Sequence, residues 1–312
     1  MTSISEYRFH STAFEEWASP LRDAVESGAQ ALLSTRDAKI KTLTEAMAYA
    51  VTGGGKRVRA LLAYATGNLC GAARPDLDKV ALAVEFVHAY SLVHDDLPCM
   101  DNDTLRRGKP TCHVKYGVAE AMLAGDALQP EAFLLLTQLG VSEKARLAVL
   151  TVFAQACGRN GMCGGQAIDL EHVGKPLKLE LLQEMHKKKT GALIDAAIRM
   201  GALCGKPEIY DALEEQLRVY SHSLGLGFQV VDDILDVTSD AATLGKTVGK
   251  DAVNSKPTYV SLLGLEASRR LALACMEQAL GALKAIEDRS LVQREALERL
   301  ADLAHYMIGR TK

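Results

Sequence analysis

Two segments of this 312-residue chain are apolar on nearly every face of a helix, and they constrain its fold more than any other feature. Residues 80–94 read VALAVEFVHAYSLVH, and residues 224–231 read LGLGFQVV. A helix without a polar face has to be surrounded by other helices, because any side left open would expose apolar residues to water. Both segments end in a pair of aspartates, Asp95-Asp96 and Asp232-Asp233. The pattern predicts two buried helices, each ending in acid residues, at the centre of a large bundle.

The rest of the chain also has a helical pattern. Apolar residues recur every three or four positions, and no run of alternating β-branched residues is flanked by hairpin turns. With 48% hydrophobic residues and no compositional linker, we predict one all-α domain over residues 1–312, a single large bundle of about ten or more helices. The predicted helices span residues 12–33, 40–52, 57–71, 78–97, 118–139, 143–159, 178–204, 208–238, 256–284 and 291–309.

Charge, cysteine content and the N-terminus narrow the class of protein. A net charge of −3 does not favour a nucleic-acid or anionic-membrane partner. The seven cysteines include no CxxC pair, so they are expected to be small core residues in a reducing compartment. The N-terminus has no apolar signal segment, and no stretch of about 18 apolar residues lacks charge. A soluble, cytoplasmic protein is expected.

The second acid motif, DDILD at residues 232–236, has the spacing of a metal site on a helix. Asp232 and Asp236 share one helical face, with Cβ atoms about 6 Å apart. Like charges at that distance destabilise a helix unless a cation lies between them, and carboxylate oxygens suit Mg²⁺. A solvated acidic surface is the alternative, but the neighbours Phe228 and Leu235 are apolar. The motif is therefore interpreted as a magnesium site.

The first acid motif, DDLPCMD at residues 95–101, separates its outer aspartates by six positions, which is not a helical repeat. Pro98 explains this spacing, because a helix ends or bulges shortly before a proline. Such a bulge can bring Asp101 back towards Asp95. We expect these two carboxylates to face the same cation.

Basic residues near both acid motifs indicate a diphosphate ligand rather than a metal alone. Arg106 and Arg107 follow the first motif, and guanidinium groups bind phosphate oxygens in pairs. GGGKRVR at residues 53–59 is typical of an anion-binding loop before a helix, although it lacks the serine or threonine of a Walker A loop. GKTVGKD at residues 245–251 adds cations after the second motif. A solvated surface explains any one basic run, but three together favour a diphosphate site.

Six motifs appear in an order that is typical of one known family. They are GGGKRVR (53–59), HAYSLVHDDLPCMDNDTLRRGKPTCH (88–113), GGQAIDL (164–170), KTGALI (189–194), GFQVVDDILDVT (227–238) and GKTVGKD (245–251). With them the chain resembles the trans-isoprenyl diphosphate synthases, or polyprenyl synthetases, from about Thr42 to its C-terminus, and within that family most closely the bacterial enzymes that make the C15 product. The resemblance implies the isoprenoid synthase fold, in which the helices surround a central active-site cavity, a homodimer, and Mg²⁺ as cofactor, with three ions expected.

The resemblance also implies a role for each residue that matches a family motif. Asp95, Asp101 and Asp232 would bind Mg²⁺, and Asp236, Asp96 and Asp233 would bind it through water or support the other ligands. The allylic diphosphate would be held by Arg106, Lys189 and Lys246. Isopentenyl diphosphate would be held by Lys56, Arg59, His88 and Arg107. Thr190 and Gln229 would face the carbocation and, with Lys189, are the candidate catalytic residues. Lys256, and Arg310 in the tail, would help to close the site.

The implied reaction is the condensation of isopentenyl diphosphate with dimethylallyl or geranyl diphosphate. Tyr90 and Ser91, about one turn before Asp95, would set the depth of the cavity. Because Tyr90 is large enough to form a floor, farnesyl diphosphate (C15) is the expected product. The alternatives are a geranylgeranyl (C20) or geranyl (C10) diphosphate synthase, a terpene cyclase, or a non-catalytic synthase subunit.

Overall fold

The computed structural model describes residue 4 and residues 7–35, 37–238 and 257–309, and these residues are almost entirely helical. Helices α1 to α7 are Ser11–Leu32, Lys41–Val51, Val58–Cys70, Arg74–Asp95, Cys112–Tyr116, Val118–Thr137 and Glu143–Cys157. Helices α8 to α14 are Met162–Glu171, Leu179–His186, Ala192–Leu203, Pro207–Thr238, Tyr259–Leu263, Leu265–Glu287 and Arg294–Ile308. The prediction of an all-α fold is confirmed, while that of a single domain stays a prediction.

Three short elements complete the described chain. Ala38–Ile40 form one turn of 3-10 helix before α2. Lys187–Gly191 form a π-helical turn that joins α9 to α10. Strands β1 (Leu105–Arg106) and β2 (Lys109–Pro110) make an antiparallel hairpin, the only sheet in the described ranges. Sheet was considered unlikely from the sequence, and this hairpin is the exception.

Several predicted helix boundaries were wrong, for identifiable reasons. The predicted helix 256–284 is interrupted at Gly264, whose φ of +83° breaks it into α12 and α13. Pro75 was placed between helices but lies in the first turn of α4, where a proline is tolerated because its nitrogen needs no partner. Helices α5 and α8 were not predicted. Helix α8 contains two adjacent glycines, Gly164 and Gly165, which weaken its helical signal.

The two apolar segments form buried parts of α4 and α11, as predicted. From Val80 to Val87 every residue of α4 is buried. Helix α4 packs against α3 and α6, and α10 packs against α3, α4 and α11. At the contact of α10 with α3, a Cβ on Gly201 would lie 2.3 Å from the carbonyl oxygen of Ala63. The two backbones therefore touch, and α10 connects the helices that carry the two acid motifs.

None of the helices in the described ranges combines the length and the apolar composition that crossing a bilayer requires.

Candidate active site

The glycine loop before α3 has a backbone that only glycine adopts easily. Gly53, Gly54 and Gly55 have φ values of +100°, +95° and +122°. A Cβ on Gly55 would lie 2.9 Å from the guanidinium carbon of Arg107, and the Nη1 of Arg107 donates to the carbonyl oxygen of Gly54 at 2.6 Å. The loop therefore brings a residue from the β-hairpin, after the first acid motif, against the start of α3.

The basic residues of GGGKRVR all line one cleft, but Arg57 also has a structural role. Arg57 is 6% exposed and has a φ of +50°. It forms ion pairs with Glu85 on α4, at 3.1 Å, and with Glu26 on α1, at 2.7 Å. Arg57 thus ties the loop to two helices beside the cleft that Lys56 and Arg59 also line. The sequence alone did not distinguish these roles.

This cleft has a volume of about 620 Å³ and brings together residues from distant parts of the chain. One side is the glycine loop with His88 and Arg107, and the other is the last part of α11. The predicted site residues among its lining are Lys56, Arg59, His88, Arg107, Gln229, Asp232, Asp233 and Asp236. The basic loop and the second acid motif, which are far apart in sequence, therefore line one cleft.

Burial and neighbouring charges shift the pKa values of two groups in the cleft. Burial lowers the pKa of His88 well below its ordinary value, and the neighbouring Arg59 and Arg107 lower it further. His88 is thus a neutral hydrogen-bonding group near pH 7. Burial also lowers the pKa of Arg59, while Glu85 and Asp232 raise it, and a guanidinium remains charged in either case. The Nε of Arg59 is buried and has no hydrogen-bond partner among the described residues.

The first acid motif has the bulge that its proline predicts. Helix α4 ends at Asp95, and a turn follows in which the N–H of Asp101 donates to the carbonyl oxygen of Asp95 at 2.8 Å. Burial raises the pKa of Asp95, and the carboxylate of Asp101 acts in the same direction. Lys189 and Arg106 oppose this shift. Asp95 is therefore a carboxylate that the protein leaves partly uncompensated, as a cation ligand would be.

Asp96 has a different environment from Asp95, although the two are adjacent. It is 2% exposed, and the Nε and Nη2 of Arg106 donate to its two oxygens at 2.8 and 2.7 Å. Such a two-point contact fixes the plane of the guanidinium. Arg106, predicted to hold a diphosphate, is thus oriented by the second aspartate of the motif.

Lys189 and Thr190 lie in the π-helical turn between α9 and α10. A turn of this kind is rare and is frequently found at functional sites. A Cβ on Gly165 of α8 would lie 2.2 Å from the backbone nitrogen of Lys189, and one on Gly225 of α11 would lie 3.0 Å from the Cα of Gly191. The turn is therefore held between two helices that approach it closely only because each has a glycine there.

A chain of hydrogen bonds connects the π-helical turn with the second acid motif. The Oγ1 of Thr190 donates to the Oε1 of Gln229 at 3.3 Å. The Nε2 of Gln229 donates to Asp233 at 3.1 Å, and the backbone N–H of Tyr259 donates to the other oxygen of Asp233 at 2.8 Å. Asp233 is 4% exposed. Although Asp233 is part of the cleft lining, both of its oxygens are bonded to protein groups, and it fixes the orientation of the Gln229 amide.

The predicted Mg²⁺ ligands have the right donor chemistry, distributed over two helices. No group of three or more His, Cys, Asp or Glu side chains in the described part of the chain lies close enough to hold a metal ion alone. Asp95 is the last residue of α4 and Asp101 lies in the turn after it, whereas Asp232 and Asp236 lie on α11. Mg²⁺ commonly takes one or two carboxylates and completes its shell with water and substrate phosphate. The residues present fit that mode of binding.

Two residues with a place in the site were not predicted from the sequence. Asp169 on α8 forms an ion pair with Lys189, with its Oδ2 2.6 Å from the lysine Nζ. Both polar atoms of the Gln166 amide are buried without a hydrogen-bond partner among the described residues. Both residues fall in the GGQAIDL motif, which was the available signal, but α8 itself was not predicted.

The residues proposed to set the cavity depth both lie on α4. Tyr90 is 5% exposed. Ser91 is half-buried, and its hydroxyl donates to the carbonyl oxygen of His88 at 2.8 Å. Lys246, Lys256 and Arg310 lie outside the residues that the structure describes.

The fold and the site define a class: all-α proteins with a central cleft lined by paired aspartates and a basic glycine loop. The family model described as Polyprenyl synthetase matches residues 40–298, and the chain belongs to this family. It is 50% identical over 273 residues to the farnesyl diphosphate synthase of Escherichia coli, covering 86% of this chain and 90% of that protein. It is 47% identical over 291 residues to a probable farnesyl diphosphate synthase of Bradyrhizobium diazoefficiens, covering 93% and 86%.

Two solved structures are similar to this chain over nearly its whole length. A Helicobacter pylori geranyltransferase complexed with magnesium and isoprenyl diphosphate is similar with a TM-score of 0.83 and 32% identity, covering 97% of this chain and all of that one, at 100%. An apo FPP/GFPP synthase from Zymomonas mobilis also has a TM-score of 0.83, at 36% identity, with 96% and 100% covered.

Proposed function

We propose that this chain is a prenyltransferase that condenses isopentenyl diphosphate with dimethylallyl or geranyl diphosphate to give farnesyl diphosphate. The observation that carries the proposal is the single cleft in which Lys56, Arg59 and Arg107 face Asp232 and Asp236. Cationic side chains suit one diphosphate, and carboxylates suit the magnesium ions that accompany the other. Similarity to the farnesyl diphosphate synthase of Escherichia coli, at 50% identity, and to the probable farnesyl diphosphate synthase of Bradyrhizobium diazoefficiens, at 47%, supports the same reaction.

The two diphosphates are assigned to different residues. Lys56, Arg59, His88 and Arg107 hold isopentenyl diphosphate. The allylic diphosphate is held by Arg106 and Lys189, together with Lys246. Asp95, Asp101, Asp232 and Asp236 bind Mg²⁺, for which we propose three ions. When bound, Mg²⁺ neutralises negative charge on the departing diphosphate. We also propose a homodimer.

The proposed chemistry needs no dedicated protein base. The allylic C–O bond breaks with its electron pair going to the diphosphate, whose charge Arg106 and Lys189 stabilise. The double bond of isopentenyl diphosphate attacks the carbocation, and the proton lost afterwards goes to the released diphosphate. The Thr190 hydroxyl and the Gln229 carbonyl oxygen, oriented through Asp233, direct their negative ends towards the positive charge. The apolar walls of α4 and α11 keep water from quenching it.

Product analysis tests this proposal directly. Purified protein is incubated with labelled isopentenyl diphosphate and dimethylallyl or geranyl diphosphate, with Mg²⁺ and with a chelator, and the products are separated by chromatography. A C15 product that requires both a divalent cation and isopentenyl diphosphate is expected. Cyclic products from an allylic diphosphate alone would indicate a terpene cyclase, and no released diphosphate would indicate a non-catalytic subunit.

A C20 synthase is the second candidate, because the chain is also 42% identical over 256 residues to a chloroplastic geranylgeranyl pyrophosphate synthase of Capsicum annuum. The size of Tyr90 favours the C15 product. The Tyr90→Ala variant removes that ring, and we expect its main product to shift to C20. An unchanged C15 product would contradict the role of Tyr90 as a floor.

A further inference from the structure

Tyr90 makes a contact that its size alone does not explain. Its hydroxyl oxygen lies 3.1 Å from the Sγ of Cys163, within hydrogen-bonding distance. Cys163 is exposed and lies in the first turn of α8, whereas Tyr90 is buried in α4. The contact therefore connects the helix that carries the first acid motif with the helix that carries Asp169.

The Tyr90 ring has a second constraint from another direction. It meets the ring of His94 edge to face, with centroids 5.5 Å apart and planes at 87°. The Nε2 of His94 lies 3.0 Å from the carbonyl oxygen of Met122 on α6. A Cβ on Gly125 would lie 2.1 Å from the same Nε2, so α6 approaches His94 closely only because it has glycine there. The phenol ring is thus bounded by His94 and tied through its hydroxyl to α8.

We propose that Cys163 is a positioning residue for product length: its thiol holds the Tyr90 ring across the path of the growing prenyl chain. This inference rests on the proposed function. A tyrosine hydroxyl that is buried without a partner is unfavourable, so the ring keeps the rotamer in which its hydroxyl reaches the thiol. Without the thiol that preference is lost, and the ring turns aside more readily when a C15 chain presses against it.

Three variants of Cys163 separate hydrogen bonding from the filling of space. Cys163→Ser keeps a hydrogen-bonding group, Cys163→Val fills the volume without one, and Cys163→Ala removes both. We expect the serine variant to keep the wild-type ratio of C20 to C15 products, and the valine and alanine variants to raise it about fivefold. A wild-type ratio in the valine variant would show that the thiol only fills space and would overturn the proposal.

A double-mutant cycle identifies Tyr90 as the partner of the thiol. Tyr90→Phe keeps the ring and removes the hydroxyl, so we expect it to raise the product ratio as much as Cys163→Val does. The combined variant should show no further increase, because both changes remove the same contact. If the combined variant raised the C20 to C15 ratio by the product of the two single increases, the proposal would be contradicted.

Measurements on the wild-type enzyme distinguish a failure of this inference from a failure of the proposed function. If the wild type makes no farnesyl diphosphate, the proposed function is wrong. If it does and the valine variant keeps the wild-type ratio, only the role of Cys163 is wrong. As a second measurement, the KM for farnesyl diphosphate as the allylic substrate should fall in Cys163→Val, while the KM for geranyl diphosphate stays unchanged. Equal changes in both KM values would indicate a general disturbance of the site.

Discussion

The two acid motifs begin with the same pair of aspartates but differ in backbone. At the first motif, α4 ends at Asp95, and a turn containing Pro98 brings the backbone of Asp101 to Asp95. At the second, α11 continues regularly through the motif to Thr238. One backbone breaks and the other does not, because only the first motif contains a proline.

In spite of this difference, the second aspartate of each pair is buried and bonded to protein groups. Asp96 is 2% exposed and holds the guanidinium of Arg106, whereas Asp233 is 4% exposed and accepts from the amide of Gln229 and the backbone of Tyr259. Asp95 and Asp232 are only half-buried. We propose that the first carboxylate of each pair binds a ligand. The second orients protein groups, which are the cationic Arg106 at the first motif and the neutral Gln229 amide and Tyr259 N–H at the second.

The largest expected effect concerns Asp95 and Asp232, which we propose as Mg²⁺ ligands. Asp95→Asn and Asp232→Asn should each lower kcat by about a thousandfold, since each removes a carboxylate that would hold the Mg²⁺ needed to neutralise the departing diphosphate. Steady-state kinetics at saturating Mg²⁺ measure the loss.

Stability distinguishes loss of a ligand from loss of the fold. Because burial raises the pKa of Asp95, its ionised form is disfavoured in the folded protein, and the neutral asparagine should not lower the melting temperature. A tenth of the wild-type kcat retained in Asp95→Asn would contradict its role as a metal ligand.

The buried aspartates should behave in the opposite way, with their main effect on stability. Asp96→Ala leaves Arg106 without its partner and should lower the free energy of unfolding by about 3 kcal/mol. Asp233→Ala leaves only neutral donors unpaired and should cost about 2 kcal/mol. Urea titration measures both, and Asp126→Ala, on the exposed face of α6, is the matched control. Equal losses of unfolding free energy in Asp96→Ala and Asp233→Ala would contradict the difference between a charged partner at the first motif and neutral partners at the second.

The fold and the bulge at Pro98 could be predicted from sequence, because apolar periodicity and motif spacing are local signals. Most residues that line the cleft were also named from motifs, and their roles stay predictions. The ion pairs of Arg57 could not be predicted, since Glu26 and Glu85 are distant from it in sequence. The π-helical turn at Lys189 was likewise missed, because it depends on the close approach of two other helices.

A smaller effect on stability is expected when pH falls, and it concerns His186, which packs against a neighbour of the second acid motif. The ring of His186 packs against Tyr259, whose N–H holds Asp233, and burial lowers the pKa of His186 from 6.5 to about 4. The unfolded chain therefore takes up this proton first as pH falls, and the folded state loses stability between pH 6.5 and 4. At pH 5 the loss relative to neutral pH is about 2 kcal/mol.

The His186→Gln variant isolates this contribution. Its free energy of unfolding should fall less between pH 7 and pH 5 than that of the wild type, and the exposed His10→Gln variant should follow the wild type. Parallel curves of unfolding free energy against pH for His186→Gln and the wild type would show that protonation of His186 does not destabilise the folded protein.

The smallest effect tests whether a third acid, the partly buried Asp169, orients a cation as Asp96 does. Asp169 holds Lys189 at 2.6 Å, and Lys189 in turn lowers the pKa of Asp95. Asp169→Ala should raise the KM for the allylic diphosphate about tenfold, or about 1.4 kcal/mol, because Lys189 is no longer held in place. The KM for isopentenyl diphosphate should not change, since Lys56 and Arg59 lie elsewhere. Glu171→Ala, an exposed acid on the same helix, is the control, and equal changes in both KM values would show that Asp169 supports α8 as a whole rather than Lys189.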